Sequence, residues 1–253
     1  VGDLTDRHKT RSIMFLGQPF ENTLLISVGS SCDACHEEDD MRGRILAYDT
    51  RTGELSEYAR GLRNAVFMTL DPMNGFVFMT EMGRDGLGDT IPPDEVNYID
   101  PVSRAQIDTP TNFGWPICYG KNVHDTDFDK NTYVRNPCMH PSEVPSWLDL
   151  GAHVAPLGLA FIPEEGWPEE WWFDLLVAQH GSWNRSTLVG YDVVKIPTDD
   201  RGNPGEPEVF IGGWLTPEGA KLGRPADIKV HSGGVIYISD DYAGVIYKVS
   251  RTR

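Results

Sequence analysis

Residues 224–240 read Arg-Pro-Ala-Asp-Ile-Lys-Val-His-Ser-Gly-Gly-Val-Ile-Tyr-Ile-Ser-Asp. An arginine precedes a short apolar strand, a glycine turn follows, and a second apolar strand ends in an acidic residue. Residues 63–81 repeat this order, with Arg63 at the start, Asn74-Gly75 at the turn and Glu81 at the end. A single hairpin cannot bury both of its faces, so recurring hairpins have to stack on one another. The repeat therefore predicts an all-β fold of the β-propeller type or a related array.

Strand-like apolar runs separated by turn residues extend along the whole chain. The runs that match one another best begin near Leu24, Phe76, Leu175 and Val235, which predicts about four blades. Residues 101–155 form a long irregular excursion or a degenerate blade, and residues 163–172 have room for one short helical turn. The predicted strands are 23–29, 44–48, 66–70, 76–80, 95–99, 158–162, 175–179, 188–194, 208–211, 228–230, 235–239 and 245–249.

We see no linker and expect one domain over residues 1–253. Closed propellers commonly have more than four blades, so we expect a part N-terminal to this chain to be missing. The chain has 253 residues, of which 40% are hydrophobic, and no apolar run reaches the roughly 20 residues that span a bilayer. The N-terminus lacks the basic and apolar regions of a signal peptide, so any such peptide has been removed or lay outside this segment.

The formal net charge is −16, which would repel a phosphate backbone. We therefore expect no nucleic-acid partner and favour a neutral or cationic ligand or bound Ca²⁺. The plainer interpretation of the charge is solubility, for example in a salty habitat.

The four cysteines are Cys32, Cys35, Cys118 and Cys138. An even number in a turn-rich chain predicts two disulfides and an oxidising compartment, either periplasmic or extracellular. The simplest pairing joins Cys32 to Cys35 and Cys118 to Cys138; a reduced pair or a metal site are the alternatives. Cys32–His36 also satisfies the Cys-x-x-Cys-His pattern of haem c attachment. Its position directly after a strand favours a disulfide-stabilised loop over an electron-transfer haem.

A series of segments occurs in an order that resembles the glucose/sorbosone dehydrogenase family, with the L-sorbosone dehydrogenase-like branch most similar. The resemblance implies a soluble six-bladed propeller quinoprotein that uses pyrroloquinoline quinone (PQQ) and Ca²⁺. It also implies a sugar substrate and an external electron acceptor. No single segment is decisive, but the ordered set is specific and covers nearly the whole chain. The segments are 27–32, 61–65, 83–97, 112–116, 118–120, 155–161, 180–186 and 223–225.

PQQ carries three carboxylates, which arginine forks match bidentately. Gly-Leu-Arg-Asn at residues 61–64 looks like the family's cofactor-contacting motif, which assigns Arg63 and Asn64 to the cofactor. Arg84, Arg185 and Arg224 also sit at strand ends and are further candidates. The competing interpretation is that each arginine forms an ordinary salt bridge at the rim.

Oxidation of a sugar hydroxyl needs a base, and histidine suits this role near neutral pH. His8 looks like the family's catalytic histidine; alternatively it is a flexible N-terminal residue. Some family members place an aspartate at the position of Ser30 to orient that histidine, and a serine cannot stabilise an imidazolium by charge. His180 and Trp183 are candidates for the lining of the quinone pocket, although Trp183 suits packing within a blade equally well.

Ca²⁺ prefers oxygen ligands and tolerates irregular geometry. The resemblance assigns backbone carbonyls at Gly83 and Arg84 to the ion, although other branches carry proline at the second position. Asp94 looks like a residue near substrate and cofactor. Glu95 binds an ion or caps a turn, and without the resemblance a solvated acidic loop would be the better interpretation of residues 81–95.

The sequence therefore predicts a PQQ-dependent dehydrogenase that oxidises an aldose or a sugar aldehyde. A Ca²⁺-dependent propeller hydrolase, such as a lactonase, is the first alternative. A non-catalytic propeller that binds a partner or a glycan is the second.

Overall fold

The computed structural model describes residues 7–199 and 201–251. These residues form two compact units. The first consists of the described residues up to Leu70 together with Gly75–Ala152, and the second of Asp71–Asn74 together with the residues from His153 onward. The single domain expected over residues 1–253 stays a prediction.

The first unit contains two sheets of four or more strands and a small two-stranded sheet. One sheet has the order β1-β2-β3-β4-β8, the other has the order β11-β7-β6-β5, and β9 pairs with β10. All pairs are antiparallel except β4 with β8. The strands are β1 (Arg11–Phe15), β2 (Thr23–Val28), β3 (Arg44–Asp49), β4 (Leu55–Arg60), β5 (Met68–Leu70), β6 (Val77–Glu81), β7 (Glu95–Ile99), β8 (Thr111–Asn112), β9 (Cys118–Tyr119), β10 (Val123–His124) and β11 (Leu148–Asp149).

The second unit contains two antiparallel sheets, with the orders β12-β13-β14-β15 and β16-β17-β18. Together with the first unit, the described residues thus hold four sheets of three or more strands, and consecutive strands form most of each sheet. This matches the four blades that the sequence predicts. The strands are β12 (Pro156–Phe161), β13 (Leu175–Gln179), β14 (Asp192–Ile196), β15 (Glu208–Ile211), β16 (Pro225–His231), β17 (Val235–Asp240) and β18 (Val245–Val249).

Each unit has its own apolar core between its sheets. In the first unit Leu25, Ile45 and Met79 are almost completely buried and belong to one cluster. In the second unit the corresponding cluster includes Ile228 and Ile238. The central strands β6 and β13 are buried along their whole length, because a strand inside a stack of sheets is covered on both faces. This is why these strands read as continuous apolar runs in the sequence.

The repeated hairpins share a polar contact as well as a strand pattern. Glu81, at the end of β6, accepts hydrogen bonds from the backbone N–H groups of Arg63 and Asn64 at 2.6 and 3.0 Å. Asp240, at the end of β17, accepts one from the backbone N–H of Arg224 at 2.9 Å. The acidic residue of each repeat therefore fixes the loop that carries the arginine.

The structure places a short helix and four two-residue strands within residues 101–155. Helix α1 (Pro101–Ala105) begins with an N-cap, because the side chain of Asp100 accepts from the Val102 N–H. The short helical turn expected within 163–172 is the 3₁₀ helix Glu169–Trp171. No helix in the described part of the chain is long and apolar enough to cross a membrane.

Both expected disulfides are present, Cys32–Cys35 and Cys118–Cys138. The two sulfurs of the Cys-x-x-Cys-His motif are bonded to each other and are not available for haem attachment. His36 instead packs its ring edge-on against Phe128, with the centroids 5.3 Å apart.

Candidate functional site

Four predicted site residues line one recess in the first unit: Arg63, Gly83, Arg84 and Glu95. The recess is also bordered by Trp115. Arg63 lies in the loop before β5, Gly83 and Arg84 follow β6, and Glu95 begins β7. The hairpin β6–β7 and the arginine loop therefore bring together residues that are up to 32 positions apart in the sequence.

His8 and Asn64 lie close together against the strand end at Gly29. A Cβ atom at Gly29 would approach the His8 Cβ to 2.6 Å and the Asn64 Oδ1 to 2.8 Å, so a larger residue would separate them. His8 itself has a φ of 48°, an unusual backbone conformation for a residue other than glycine. Such conformations persist where the surrounding structure enforces them, and they concentrate at functional sites.

One ring nitrogen of His8 is held by Ser30. Nδ1 lies 2.9 Å from the Ser30 Oγ and 3.1 Å from the Ser30 carbonyl oxygen. The Ser30 hydroxyl donates to the Cys32 carbonyl at 2.6 Å, so its oxygen accepts from His8. Nδ1 therefore carries the proton, and in the described residues Nε2 has no hydrogen bond. This assigns the tautomer in which Nε2 is the proton acceptor.

The surroundings of His8 lower its pKa from 6.5 to about 4. Burial is the largest cause, and the charges of Arg63 and Arg7 add to it. The hydrogen bond to Ser30 and the charge of Asp33 act in the opposite direction but are weaker. His8 is therefore neutral near pH 7, chiefly because its ring is buried.

The guanidinium of Arg63 is buried and makes its hydrogen bonds to the protein. Nη2 donates to the Asp33 carboxylate at 2.7 Å and to the Asp85 carboxylate at 3.1 Å. Nε donates to both the side chain and the carbonyl of Asp33 at 3.1 Å, and Nη1 to the Met82 carbonyl at 3.3 Å. The N–H groups of Arg63 that the sequence assigns to a cofactor carboxylate are thus already bonded to Asp33.

Arg84 extends the same network toward the surface. It donates to Asp125 at 3.0 Å and to Asp127 at 3.3 Å, and its Nε lies 3.7 Å from the Asp33 carboxylate. Arg7 lies 3.8 Å from both Asp33 and Asp85. Three positive and four negative charges are therefore in mutual contact. The members are Arg7, Arg63, Arg84, Asp33, Asp85, Asp125 and Asp127.

Glu81 and Glu95 form a buried acidic pair on adjacent strands. They face each other in the β6–β7 register, and both border the recess. Burial, together with the charge of Glu95, raises the pKa of Glu81 well above its usual value. Burial also raises the pKa of Glu95, against hydrogen bonds from Asn97 and from the Gly120 N–H. Two buried carboxylates at one recess supply oxygen ligands of the kind that Ca²⁺ prefers.

Asp94 orients the glycine that follows β6. Its Oδ1 accepts from the Gly83 N–H at 2.8 Å, and the side chain is buried. In Asn97 the amide nitrogen donates to Glu95, whereas Oδ1 is buried without a partner among the described residues.

In the second unit Arg224 is fixed on one edge only. Nε donates to the His180 carbonyl at 2.8 Å, Nη2 donates to the Gly181 carbonyl, and the guanidinium lies 5.4 Å from the centroid of the Tyr191 ring. No ion pair with a carboxylate is found for Arg224 within the described ranges 7–199 and 201–251. This half-buried cation is therefore free to bind an anionic group.

The imidazole of His180 is paired with a carboxylate, since Nε2 lies 2.8 Å from Asp241. Burial nevertheless lowers the pKa of His180, with a further contribution from Arg224. Trp183 is 68% exposed, so its ring does not pack inside a blade. Arg185 lies half-buried in the same loop.

The residue that sequence reasoning missed is Asp33, whose carboxylate contacts all three arginines of the charged network. One signal for it is present in the sequence. Asp33 lies between two cysteines directly after a strand, and a short disulfide-closed loop at a strand end holds its middle residues in place. The partners 30 and 51 positions away, Arg63 and Arg84, are not readable from that pattern.

Comparison with known proteins identifies the family. A family model described as TrAA12-like matches residues 1–252. The chain belongs to the TrAA12-like family. A protein of Borreliella burgdorferi, described as uncharacterized, is 34% identical over 229 residues, or 90% of this chain. The match covers 57% of that relative, so the chain spans little more than half its length.

Solved structures show the same fold. The calcium structure of the Trichoderma reesei Carbohydrate-Active Enzymes Family AA12 protein superposes with a TM-score of 0.77 at 22% identity, covering 96% of this chain and 68% of that one. The holo form of the PQQ domain of pyranose dehydrogenase from Coprinopsis cinerea gives 0.72 at 21% identity, covering 97% and 70%. The apo form of the soluble aldose sugar dehydrogenase from Escherichia coli gives 0.64 at 17% identity, covering 95% and 63%. The all-β fold of this chain is that of a β-propeller, as the hairpin repeat predicts.

Proposed function

We propose that this chain is part of a quinoprotein oxidoreductase that oxidises an aldose or a sugar aldehyde and passes the electrons to an external acceptor. Its membership in the TrAA12-like family supports the reaction class. The observation that carries the proposal is His8, whose Nε2 is left as a proton acceptor beside Asn64. The finer assignment to the L-sorbosone dehydrogenase-like branch stays part of the proposal.

The charged side chains fit an anionic quinone such as PQQ. Arg224 has no carboxylate partner in the described residues, and the charges of Arg63 and Arg7 act on His8 at the other candidate position. In the first unit Asn64 and Arg84 would contact the cofactor. Arg63 would contribute its positive charge but no hydrogen bonds, because its N–H groups are bonded to the protein. Arg224, His180, Trp183 and Arg185, which belong to the second unit, stay candidates from the sequence. When bound, PQQ would supply a quinone that accepts two electrons as a hydride.

His8 would act as the general base. The substrate hydroxyl would give its proton to Nε2 while the adjacent carbon loses a hydride, so the alcohol carbon becomes a carbonyl carbon. The hydrogen bond from Nδ1 to Ser30 keeps the accepting nitrogen free throughout. Because the ring is neutral above about pH 5, no prior deprotonation is required at physiological pH.

We assign Ca²⁺ to the end of the β6–β7 hairpin, with the backbone of Gly83 and Arg84 and the side chain of Glu95 as proposed ligands. The buried position of Glu95 supports this assignment, since a divalent cation would offset the cost of burying its charge. Asp94 would support the site through its bond to the Gly83 N–H.

The two disulfides support an oxidising location, periplasmic or extracellular. The exposed ring of Trp183 suits stacking against an apolar face of a sugar ring, which agrees with a sugar substrate.

The proposal is tested by adding PQQ and CaCl₂ to the purified protein and following cofactor binding by fluorescence. Reduction of an electron-accepting dye is then measured with a panel of aldoses and sugar aldehydes. We expect PQQ to bind and dye to be reduced. In His8→Gln we expect binding to be retained and turnover to fall by at least roughly a hundredfold, the usual contribution of a general base.

The absence of both PQQ binding and dye reduction over the whole panel would overturn the proposal. Hydrolysis of lactones with bound metal and without quinone would favour the hydrolase alternative. Equal turnover in the wild type and in His8→Gln would remove His8 from the mechanism while leaving the reaction class intact.

A further inference from the structure

The loop closed by the Cys32–Cys35 disulfide touches the predicted site at several points. The Asp33 carboxylate accepts from Arg63 and from the backbone N–H of Asp85 at 2.9 Å. The Asp33 carbonyl accepts from Arg63 Nε and from the indole N–H of Trp115 at 3.2 Å. One residue thus binds the arginine loop, the segment after β6 and an aromatic side chain that borders the recess.

The same loop also reaches His8. The Cys32 carbonyl accepts the Ser30 hydroxyl proton, and this bond is what turns the Ser30 oxygen toward His8 Nδ1. Adjacent residues of one disulfide loop therefore determine the orientation of the proposed base and of the arginine beside it.

The charge of Asp33 is maintained by these contacts. Burial would raise the pKa of its carboxyl, but the Asp85 N–H and the charges of Arg63 and Arg84 outweigh burial and lower it. One oxygen of the carboxylate, Oδ1, accepts from both Nε–H and Nη2–H of Arg63, at 3.1 and 2.7 Å.

We propose that Asp33 is a positioning residue of the candidate site, and that the Cys32–Cys35 disulfide serves to hold it against Arg63 and Arg84. The inference rests on the proposed function for its cofactor, whereas the positioning itself is a property of the protein without cofactor. Asp33 does not contact the cofactor or the substrate in this scheme; it acts through the two arginines.

The proposal predicts an effect opposite to that of simple electrostatics. Removing a negative charge beside an anion site should tighten the binding of an anion. If Asp33 positions the arginines, Asp33→Asn should instead weaken PQQ binding by roughly tenfold or more, the usual value of a charge-assisted hydrogen bond. The matched control is Glu38→Gln, which removes one charge from an exposed position near the same loop.

The first experiment measures the Kd of PQQ by fluorescence titration in calcium buffer for the wild type, Asp33→Asn, Glu38→Gln and Cys32→Ala/Cys35→Ala. We expect Asp33→Asn and the cysteine variant to bind more weakly and Glu38→Gln to bind as the wild type does. Adding Asp33→Asn to the cysteine variant should cause little further loss, because both changes release the same contact. Unchanged or tighter binding by Asp33→Asn would overturn the proposal.

The second experiment needs no cofactor. In ¹⁵N-labelled protein the Arg63 Nε–H resonance, assigned by its loss in Arg63→Lys, should exchange slowly with water. The exchange should become at least roughly tenfold faster in the cysteine variant, which releases both Asp33 acceptors of this proton. It should also become faster, but by less, in Asp33→Asn, which loses the charged acceptor and keeps the Asp33 carbonyl. It should stay slow in Glu38→Gln.

Slow exchange in all variants would overturn the positioning role. If the wild type fails to bind PQQ, the proposed function fails and this exchange measurement alone decides about Asp33. Equal melting temperatures of Asp33→Asn and the wild type would show that the effects do not arise from unfolding.

Discussion

At the scale of single residues, Ser30 determines the chemistry available to His8. A hydroxyl that donates to the Cys32 carbonyl can accept from Nδ1 but cannot offset a positive charge on the ring. Burial and the charges of two arginines lower the pKa of His8 to about 4, because no carboxylate of the described residues lies at Nδ1 to offset them. The outcome is a base that is always ready to accept a proton near neutral pH but has low basicity.

Replacing Ser30 by aspartate tests this explanation. A carboxylate within contact of Nδ1 stabilises the imidazolium, so in Ser30→Asp we expect the pKa of His8 to rise by about 1 to 2 units. The pKa is measured from the pH dependence of the His8 C2–H chemical shift by NMR. Ser30→Ala is the control, because it removes the hydroxyl and adds no charge. A His8 pKa that stays near 4 in Ser30→Asp would contradict the proposed electrostatic cause.

Asp192 offers a residue-scale test of stability against pH. Burial alone raises its pKa from 3.8 to about 6, and its Oδ1 is buried without a partner among the described residues. The folded state thus holds this proton more tightly than the unfolded state. The protonated Asp192 therefore stabilises the folded state fully below about pH 4, and this contribution is lost as the pH rises through 6.

Asparagine does not titrate, so the stability of Asp192→Asn relative to the wild type should increase as the pH is raised from 4 to 7.5. We expect this increase to be about 1 to 2 kcal/mol, a value reduced for the partial exposure of the group. Urea unfolding at both pH values measures this difference, and the comparison of the two proteins cancels the titration of all other groups. A difference that is independent of pH would show that Asp192 titrates normally.

At the scale of elements, hydrophobic alternation predicts the strands well because most of them have one buried face. The runs at 95–99, 175–179, 208–211 and 245–249 coincide with strands β7, β13, β15 and β18. Strand β4 (Leu55–Arg60) was not predicted, since its sequence Leu-Ser-Glu-Tyr-Ala-Arg has few apolar residues and its first half is exposed. Its position is fixed by pairing with β3, which a local pattern does not contain.

The candidate site follows the same division between local and non-local information. The arginine before β5 and the acidic residue at the end of β6 were both visible in the hairpin repeat, whereas the hydrogen bonds that join them were not. Asp33 was missed because its role depends on Arg63, Arg84 and Trp115, which are brought to it by the fold. Residue types and strand ends are therefore predictable from this sequence, and charge networks across strands are not.

The two disulfides give an element-scale prediction about stability. The Cys118–Cys138 bridge closes a loop with a sequence separation of 20, and the Cys32–Cys35 bridge closes one of only 3. Loop-closure entropy predicts a loss of about 3 kcal/mol for Cys118→Ala/Cys138→Ala and about 2 kcal/mol for Cys32→Ala/Cys35→Ala. Urea unfolding of both variants measures which of them loses more stability. A larger loss for the short loop would contradict the entropic order and would point to the contacts of Asp33.

At the scale of the whole chain, the excess of negative charge is the dominant electrostatic property. The sequence has 38 acidic and 22 basic residues, and several of the basic ones are committed to the network around Asp33. The remaining carboxylates repel one another across the surface. Such self-repulsion destabilises the folded state, and salt screens it, since the Debye length falls from about 30 Å at 10 mM to about 10 Å at 100 mM.

We therefore expect the melting temperature to rise by several degrees, on the order of 1 kcal/mol of stability, when NaCl is increased from 10 to 300 mM. Choline chloride at equal ionic strength should have the same effect, because screening does not depend on the identity of the cation. CaCl₂ at equal ionic strength should raise the melting temperature further if Ca²⁺ binds at Glu95, because a ligand that binds only the folded state stabilises it by mass action. Glu95→Gln should abolish only this additional increment. A melting temperature that is flat or falling in NaCl would mean that the ion pairs around Asp33, which salt weakens, outweigh the repulsion between the unpaired carboxylates.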